Sequence, residues 1–167
     1  DTPDGKRVRL MQDGRWEYTG NAPMQTEQLQ RTPSLDVQLQ NVVIERTEKK
    51  VQKNTRVRTR TVFTIETTRA AEAGDTLELA DLDAADVSVS DDNGKSYEVI
   101  SITTDTPYIP PGKTATITVI ADKSPLIFDD VDAMSVVFDK HIFDTQSPVT
   151  LTRDMDDIDE VKVDRFD

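Results

Sequence analysis

Alternation of apolar and polar residues, interrupted at short intervals by turn-forming residues, restricts this chain more than any other feature. In LDVQLQNVVIERT, Leu35, Val37 and Leu39 fall on one face, and around Asn41 the phase switches so that Val42 and Ile44 continue it. Successive side chains of a strand point to opposite faces, so one extra residue must be absorbed there, and a β-bulge is predicted. TRVRTRTVFTIETT sets Val57, Thr59, Thr61, Phe63 and Ile65 on one face, against Arg56, Arg58, Arg60 and then Val62 on the other. Further strands are predicted at 86–90 (DVSVS), 96–103 (SYEVISIT), 113–121 (KTATITVIA), 133–139 (AMSVVFD) and 148–152 (PVTLT). Asn93-Gly94 is a hairpin-turn signal, and Pro110-Pro111-Gly112 makes a rigid corner. Only residues 69–85 lean towards helix. Gly74 interrupts them, so a long inter-strand loop with one or two turns is expected there. Short strands separated by turn signals predict an all-β sandwich.

The N-terminal stretch DGKRVRLMQDGRWEY reads as a β-hairpin. Val8 and Leu10 share a face, Asp13-Gly14 gives the turn, and Trp16 and Tyr18 share a face on the return strand. An isolated hairpin is marginal in water, so Trp16 is expected to dock it. The following TGNAPMQTEQLQRTPS is polar and Gln-rich with two prolines, as a linker would be. The expected organisation is a hairpin at 1–19, a polar linker at 20–34, and a sandwich domain at 35–167 ending in an acidic tail.

Composition excludes several functions. There is no cysteine, hence no disulfide framework and no thiolate metal site. No apolar run approaches the roughly 18 residues of a spanning helix, so the chain is not expected to cross a membrane. A net charge of −12 argues against nucleic-acid binding, which needs a positive surface. The charge is uneven: residues 1–70 hold 13 Lys/Arg against 9 Asp/Glu, and residues 71–167 hold 7 against 23. The first residue is Asp1, which fits removal of a secretory signal and a periplasmic or extracellular location.

The layout DVSVSDDNGKSYEV, YIPPGKTATITVIAD, DAMSVVFD resembles the second half of immunoglobulin-like domains in bacterial exported proteins and lipoproteins. The opening hairpin with its DG-x-W pattern resembles the start of many exported bacterial proteins of unknown function. Together they resemble an uncharacterised exported family of gammaproteobacterial type. The resemblance implies an immunoglobulin-like antiparallel β-sandwich with an N-terminal β-hairpin, in the periplasm or at the surface. It carries no catalytic residues over, and with no cysteine near the start a lipid anchor is not expected.

Four groups of residues could carry function. Trp16 and Tyr18 could form an aromatic platform, although with only nine aromatics in the chain a packing role is expected first. Arg56, Arg58 and Arg60, extended upstream by Lys49, Lys50 and Lys53, could bind an anionic ligand; the plainer reading is a solvated strand face paired with carboxylates from the acidic half. Asp154, Asp156, Asp157, Asp159 and Glu160 offer oxygens for calcium, as do Asp129, Asp130 and Asp132, although no EF-hand is present. Placing Gly94 at the sixth loop position puts Val89 at the first and Ile100 at the twelfth, where carboxylates belong. His141 is the sole histidine, near Asp139 and Asp144. No nucleophile elbow, phosphate loop or metal signature accompanies it, so no enzyme is expected. The reading is a non-enzymatic exported envelope protein that binds an envelope protein or a second copy of itself, without a cofactor. A calcium-dependent adhesion module is the alternative, and a hydrolase built around His141 a weaker one.

Overall fold

The computed structural model describes residues 27–166 in full, and before them the backbone of three strands, Lys6–Leu10 (β1), Trp16–Asn21 (β2) and Met24–Gln25 (β3). The strands that follow are Leu29–Arg31 (β4), Leu35–Val51 (β5), Asn54–Arg69 (β6), Leu77–Glu78 (β7), Val87–Asp91 (β8), Ser96–Tyr97 (β9) and Val99–Thr104 (β10). Tyr108–Ile109 (β11), Thr114–Asp122 (β12), Ala133–Phe138 (β13), Val149–Asp154 (β14) and Asp159–Lys162 (β15) complete them. One sheet runs β10-β12-β6-β5-β4-β3, and a second runs β14-β13-β8-β9. All neighbours are antiparallel except β15, which lies parallel beside β5. The chain is an all-β sandwich.

Binary patterning explains the layers. Leu35, Val37, Leu39, Val42, Phe63, Ile65, Ile117 and Val119 come from the first sheet, and Val89, Tyr97, Met134, Val136, Phe138 and Leu151 from the second. All are buried in one apolar cluster. The register of β5 on β6 shifts between Leu39 and Asn41, so the predicted bulge is present and keeps Val42 and Ile44 on the core face. Gly94 and Gly112 take positive φ (82° and 76°) in the two predicted turns. Gly112 donates its N–H to the carbonyl of Arg69, fastening the proline corner to the end of β6.

Three expectations change. SYEVISIT, read as one strand, breaks at Glu98: Ser96 and Tyr97 pair with β8 in the second sheet, whereas the residues from Val99 pair with β12 in the first. Just past the break the apolar positions switch phase, from Tyr97 and Val99 to Ile100 and Ile102, where the register with β12 also shifts; such a slip reads as a bulge and does not by itself announce a change of sheet. The supposed polar linker 20–34 contributes β3 and β4 to the first sheet, with Gln30 opposite Val37. The acidic stretch is not simply a solvated tail, since Asp159 and Glu160 open β15 against Val43 and Ile44. Of the opening hairpin, β1 and β2 pair with Leu10 opposite Trp16, while its turn and the side chains of Trp16 and Tyr18 lie outside the described residues. No helix among the described residues is long and apolar enough to cross a membrane.

Candidate functional site

The β5–β6 hairpin outgrows its sheet. Its neighbours stop at its base, β12 with Asp122 opposite Arg60 and β15 with Lys162 opposite Arg46. Beyond them, among the described residues, the two strands pair only with each other, out to Val51 opposite Asn54. Residues 47–58 thus form a two-stranded ribbon, roughly 17 Å long at about 3.3 Å per residue. The β-branched Thr47, Val51, Thr55 and Val57 suit an extended ribbon, and Gln52 turns it with a φ of 57°.

Positive charge dominates the ribbon. It carries Lys49, Lys50, Lys53, Arg56 and Arg58 against one carboxylate, Glu48. Lys49 stands directly opposite Arg56, a like-charge pair that works against the hairpin's own stability. Lys49, Lys50, Lys53 and Arg56 are exposed and make no ion pair among the described residues. Glu48 is already engaged by Lys162 Nζ and by Arg46 Nη2, each at 3.0 Å. The hydrogen bond from Lys162 holds its carboxyl below the ordinary carboxylate range.

The three-arginine stripe read from sequence therefore divides. Arg60 belongs to the fold: it is buried, its Nε donates to Glu45 Oε2 at 2.5 Å, and its guanidinium lies 4.6 Å from the centre of the Phe166 ring. Arg58 stays exposed but sits 5.6 Å from the same ring, so Phe166 braces the root of the ribbon. Arg56 has no such support among the described residues. Of the acidic half, Glu160 lies 3.5 Å from Nη1 of Arg46, a cation at the base of the ribbon but outside the stripe.

The acidic segments are not brought together. Asp154 ends β14, Asp156 and Asp157 sit in a single tight turn, and Asp159 and Glu160 lie along β15. Among the described residues no group of three or more metal-ligating side chains could hold an ion. In the loop after β12, Asp129 Oδ2 accepts the N–H of Leu126 at 2.8 Å, and Asp92 Oδ1 accepts that of Asp132 at 3.0 Å. Those carboxylates shape the backbone.

His141 lies in the turn after β13 beside a shallow depression bordered by Glu78, Leu79 and Leu82. Its Nδ1 is 2.8 Å from Asp139 Oδ1 and its Nε2 3.1 Å from Asp86 Oδ2. Asp144, the other aspartate near it in sequence, makes no hydrogen bond or ion pair with it among the described residues. Both ring nitrogens face carboxylates, whereas a triad histidine turns one towards its nucleophile. The hydrogen bond to Asp139, then that to Asp86, raises the imidazole above its ordinary 6.5. The folded state binds this proton more tightly than the unfolded chain, so the resulting stability is complete below pH 6.5 and is lost as pH rises through the folded value. His141→Asn is expected to flatten unfolding free energy between about pH 6 and 8, measured by urea titration at each pH. An unchanged slope would show that the bracket contributes nothing.

No family model matches this sequence, and no curated protein matches it. Three solved structures are similar to it. One, from Bacillus subtilis and described as a "putative lipoprotein", is 12% identical with a TM-score of 0.51, and covers 80% of this chain and 40% of its own. This chain therefore spans well under half the length of that protein. A second "putative lipoprotein", from Staphylococcus aureus, is 12% identical with a TM-score of 0.48 over 95% of this chain and 99% of its own. An uncharacterized β-sandwich protein of Clostridium difficile is 13% identical with a TM-score of 0.46, over 77% of this chain and 90% of its own.

Proposed function

We propose that this chain is a non-enzymatic binding module of the bacterial envelope that presents the β5–β6 ribbon to an acidic macromolecular partner. One observation carries the reading: five cations face one carboxylate on a ribbon with which no other strand among the described residues pairs, and Lys49 is set against Arg56. Such repulsion gains nothing in the free protein, and an anionic partner relieves it. The envelope location is taken from the description of the Bacillus subtilis structure. A second copy of the chain is one supply of negative charge, since residues 71–167 hold 23 Asp/Glu against 7 Lys/Arg.

The test uses poly-L-glutamate as an acidic probe, with sedimentation velocity of the chain alone run beside it. Binding is expected at low salt and is expected to vanish at roughly tenfold higher salt, because exposed charges are screened within a Debye length. The triple variant Lys49→Gln, Arg56→Gln, Arg58→Gln should bind at least about tenfold more weakly, which corresponds to about 1.4 kcal/mol. Equal binding by the triple variant would remove the ribbon from the account. Salt-sensitive sedimentation of the chain alone would identify the second copy as a partner.

A further inference from the structure

The loop from β12 to β13 holds the largest exposed apolar feature among the described residues. In SPLIFDD, Leu126, Ile127 and Phe128 are 63%, 92% and 94% exposed. The loop is built, not slack. Ser124 is buried, with its Oγ 3.0 Å from Thr59 Oγ1, and Thr61 Oγ1 donates to the carbonyl of Lys123. Across the tip, Leu126 N–H donates to the Asp129 carboxylate, and Asp129 N–H returns to the Leu126 carbonyl at 2.9 Å. On the far side Asn93 Nδ2 donates to the carbonyls of Asp129 and Asp130. Three apolar side chains are thereby held out on a pinned turn.

That turn springs from the root of the basic ribbon. Lys123 N–H donates to the carbonyl of Thr59, the residue following Arg58. An apolar tip and a set of cations without ion pairs among the described residues therefore share one end of the sandwich. We infer that this end docks on an anionic lipid bilayer, with Leu126, Ile127 and Phe128 entering the headgroup–acyl boundary and the ribbon lying over the anionic headgroups. The inference rests on the ribbon being a docking element for an acidic partner, and it names that partner.

A bilayer fits both chemistries at once. It offers an apolar layer directly beneath negative charge, and it accepts a convex tip without the matched pocket a protein would have to supply. The overall charge of −12 does not forbid approach, because carboxylates more than about 8 Å from the surface are screened at physiological salt. Near the tip, Asp129 is held by the Leu126 N–H and lies 3.8 Å from Lys95 Nζ. Asp130 is exposed and opposes entry, so the binding is modest and salt-sensitive.

The chain has no cysteine, so Ile127→Cys gives a single site for a polarity-sensitive fluorophore at the tip. The labelled chain is mixed with vesicles of phosphatidylcholine containing about one-third phosphatidylglycerol, and with phosphatidylcholine alone. A blue shift with the mixed vesicles only is expected. Unlabelled chain should co-float with the mixed vesicles, Phe128→Asp should weaken this by about tenfold, and each ribbon cation changed to Gln should weaken it by roughly fivefold. Flotation that Phe128→Asp leaves intact, or that occurs without a blue shift, overturns the insertion. No flotation while poly-L-glutamate still binds overturns the lipid assignment and leaves the ribbon reading standing. If neither probe binds, both fall.

Discussion

Phe138→Ala should lower the unfolding free energy by about 3–5 kcal/mol, a large share of the 5–15 kcal/mol typical of a domain. Phe138 is fully buried on β13 and is paired on one side with Val87 and on the other with Val149. Its ring meets that of Phe143 edge-on, with centroids 5.2 Å apart at 60°. Truncation removes the transfer free energy of the ring, leaves a cavity between two sheets that cannot close around it, and loses the aromatic pair. At about 2–4 °C per kcal/mol for a domain of this size, the melting temperature should fall by roughly 6–20 °C. Phe128→Ala is the control. That ring is 94% exposed, so the same substitution should change stability by no more than about 0.5 kcal/mol. Equal losses at the two positions would contradict the sandwich as described.

Asp91→Ala should cost about 2–4 kcal/mol, although it removes only a small side chain. Asp91 is buried at the end of β8, where Oδ1 accepts the N–H groups of Asn93 and Lys95 and Oδ2 accepts the Tyr97 hydroxyl at 2.8 Å. One carboxylate thus fixes the β8–β9 turn and anchors the tyrosine that fills the core beneath it. Burial, followed by the bond to Asp91, pushes the Tyr97 hydroxyl well above its ordinary 10, so it remains a donor throughout the working range. Alanine leaves the Tyr97 hydroxyl buried without its partner. Tyr97→Phe removes a single donor and leaves the carboxylate its two backbone partners, so it should cost about 1–2 kcal/mol. Urea unfolding of both variants checks the ranking, and a smaller loss for Asp91→Ala would show that the carboxylate does not organise the turn.

Period and turn chemistry made much of this fold legible. Leu39 and Val42 lie three apart with two polar residues between them, and only a bulge keeps both in the core. Asn93-Gly94 and Pro110-Pro111-Gly112 name their turns because Gly94 and Gly112 adopt positive φ. Other features depend on distant partners. The change of sheet at Glu98 is followed only by a phase slip from Val99 to Ile100, which reads as a bulge like that at Asn41 until the partners are known. β15 forms because a parallel slot beside β5 is open past the end of β4, and nothing in DMDDIDE records that vacancy. The site was half legible. The arginine period gave one face, but only the pairing partners show where the sheet ends and the ribbon begins, and which arginine is consumed by Glu45 and Phe166. Pro-Leu-Ile-Phe could have been noticed as an apolar run in a turn-rich stretch, yet a short apolar run is equally well a buried strand end.

The most direct test of the ribbon as a docking element is an amide chemical-shift titration of the isotopically labelled chain with poly-L-glutamate at low salt. The account expects the largest shifts in residues 47–58, centred on Lys49 and Arg56, and expects their loss at high salt. Shifts centred elsewhere, around His141 or along β10 for instance, or none at all, would contradict it.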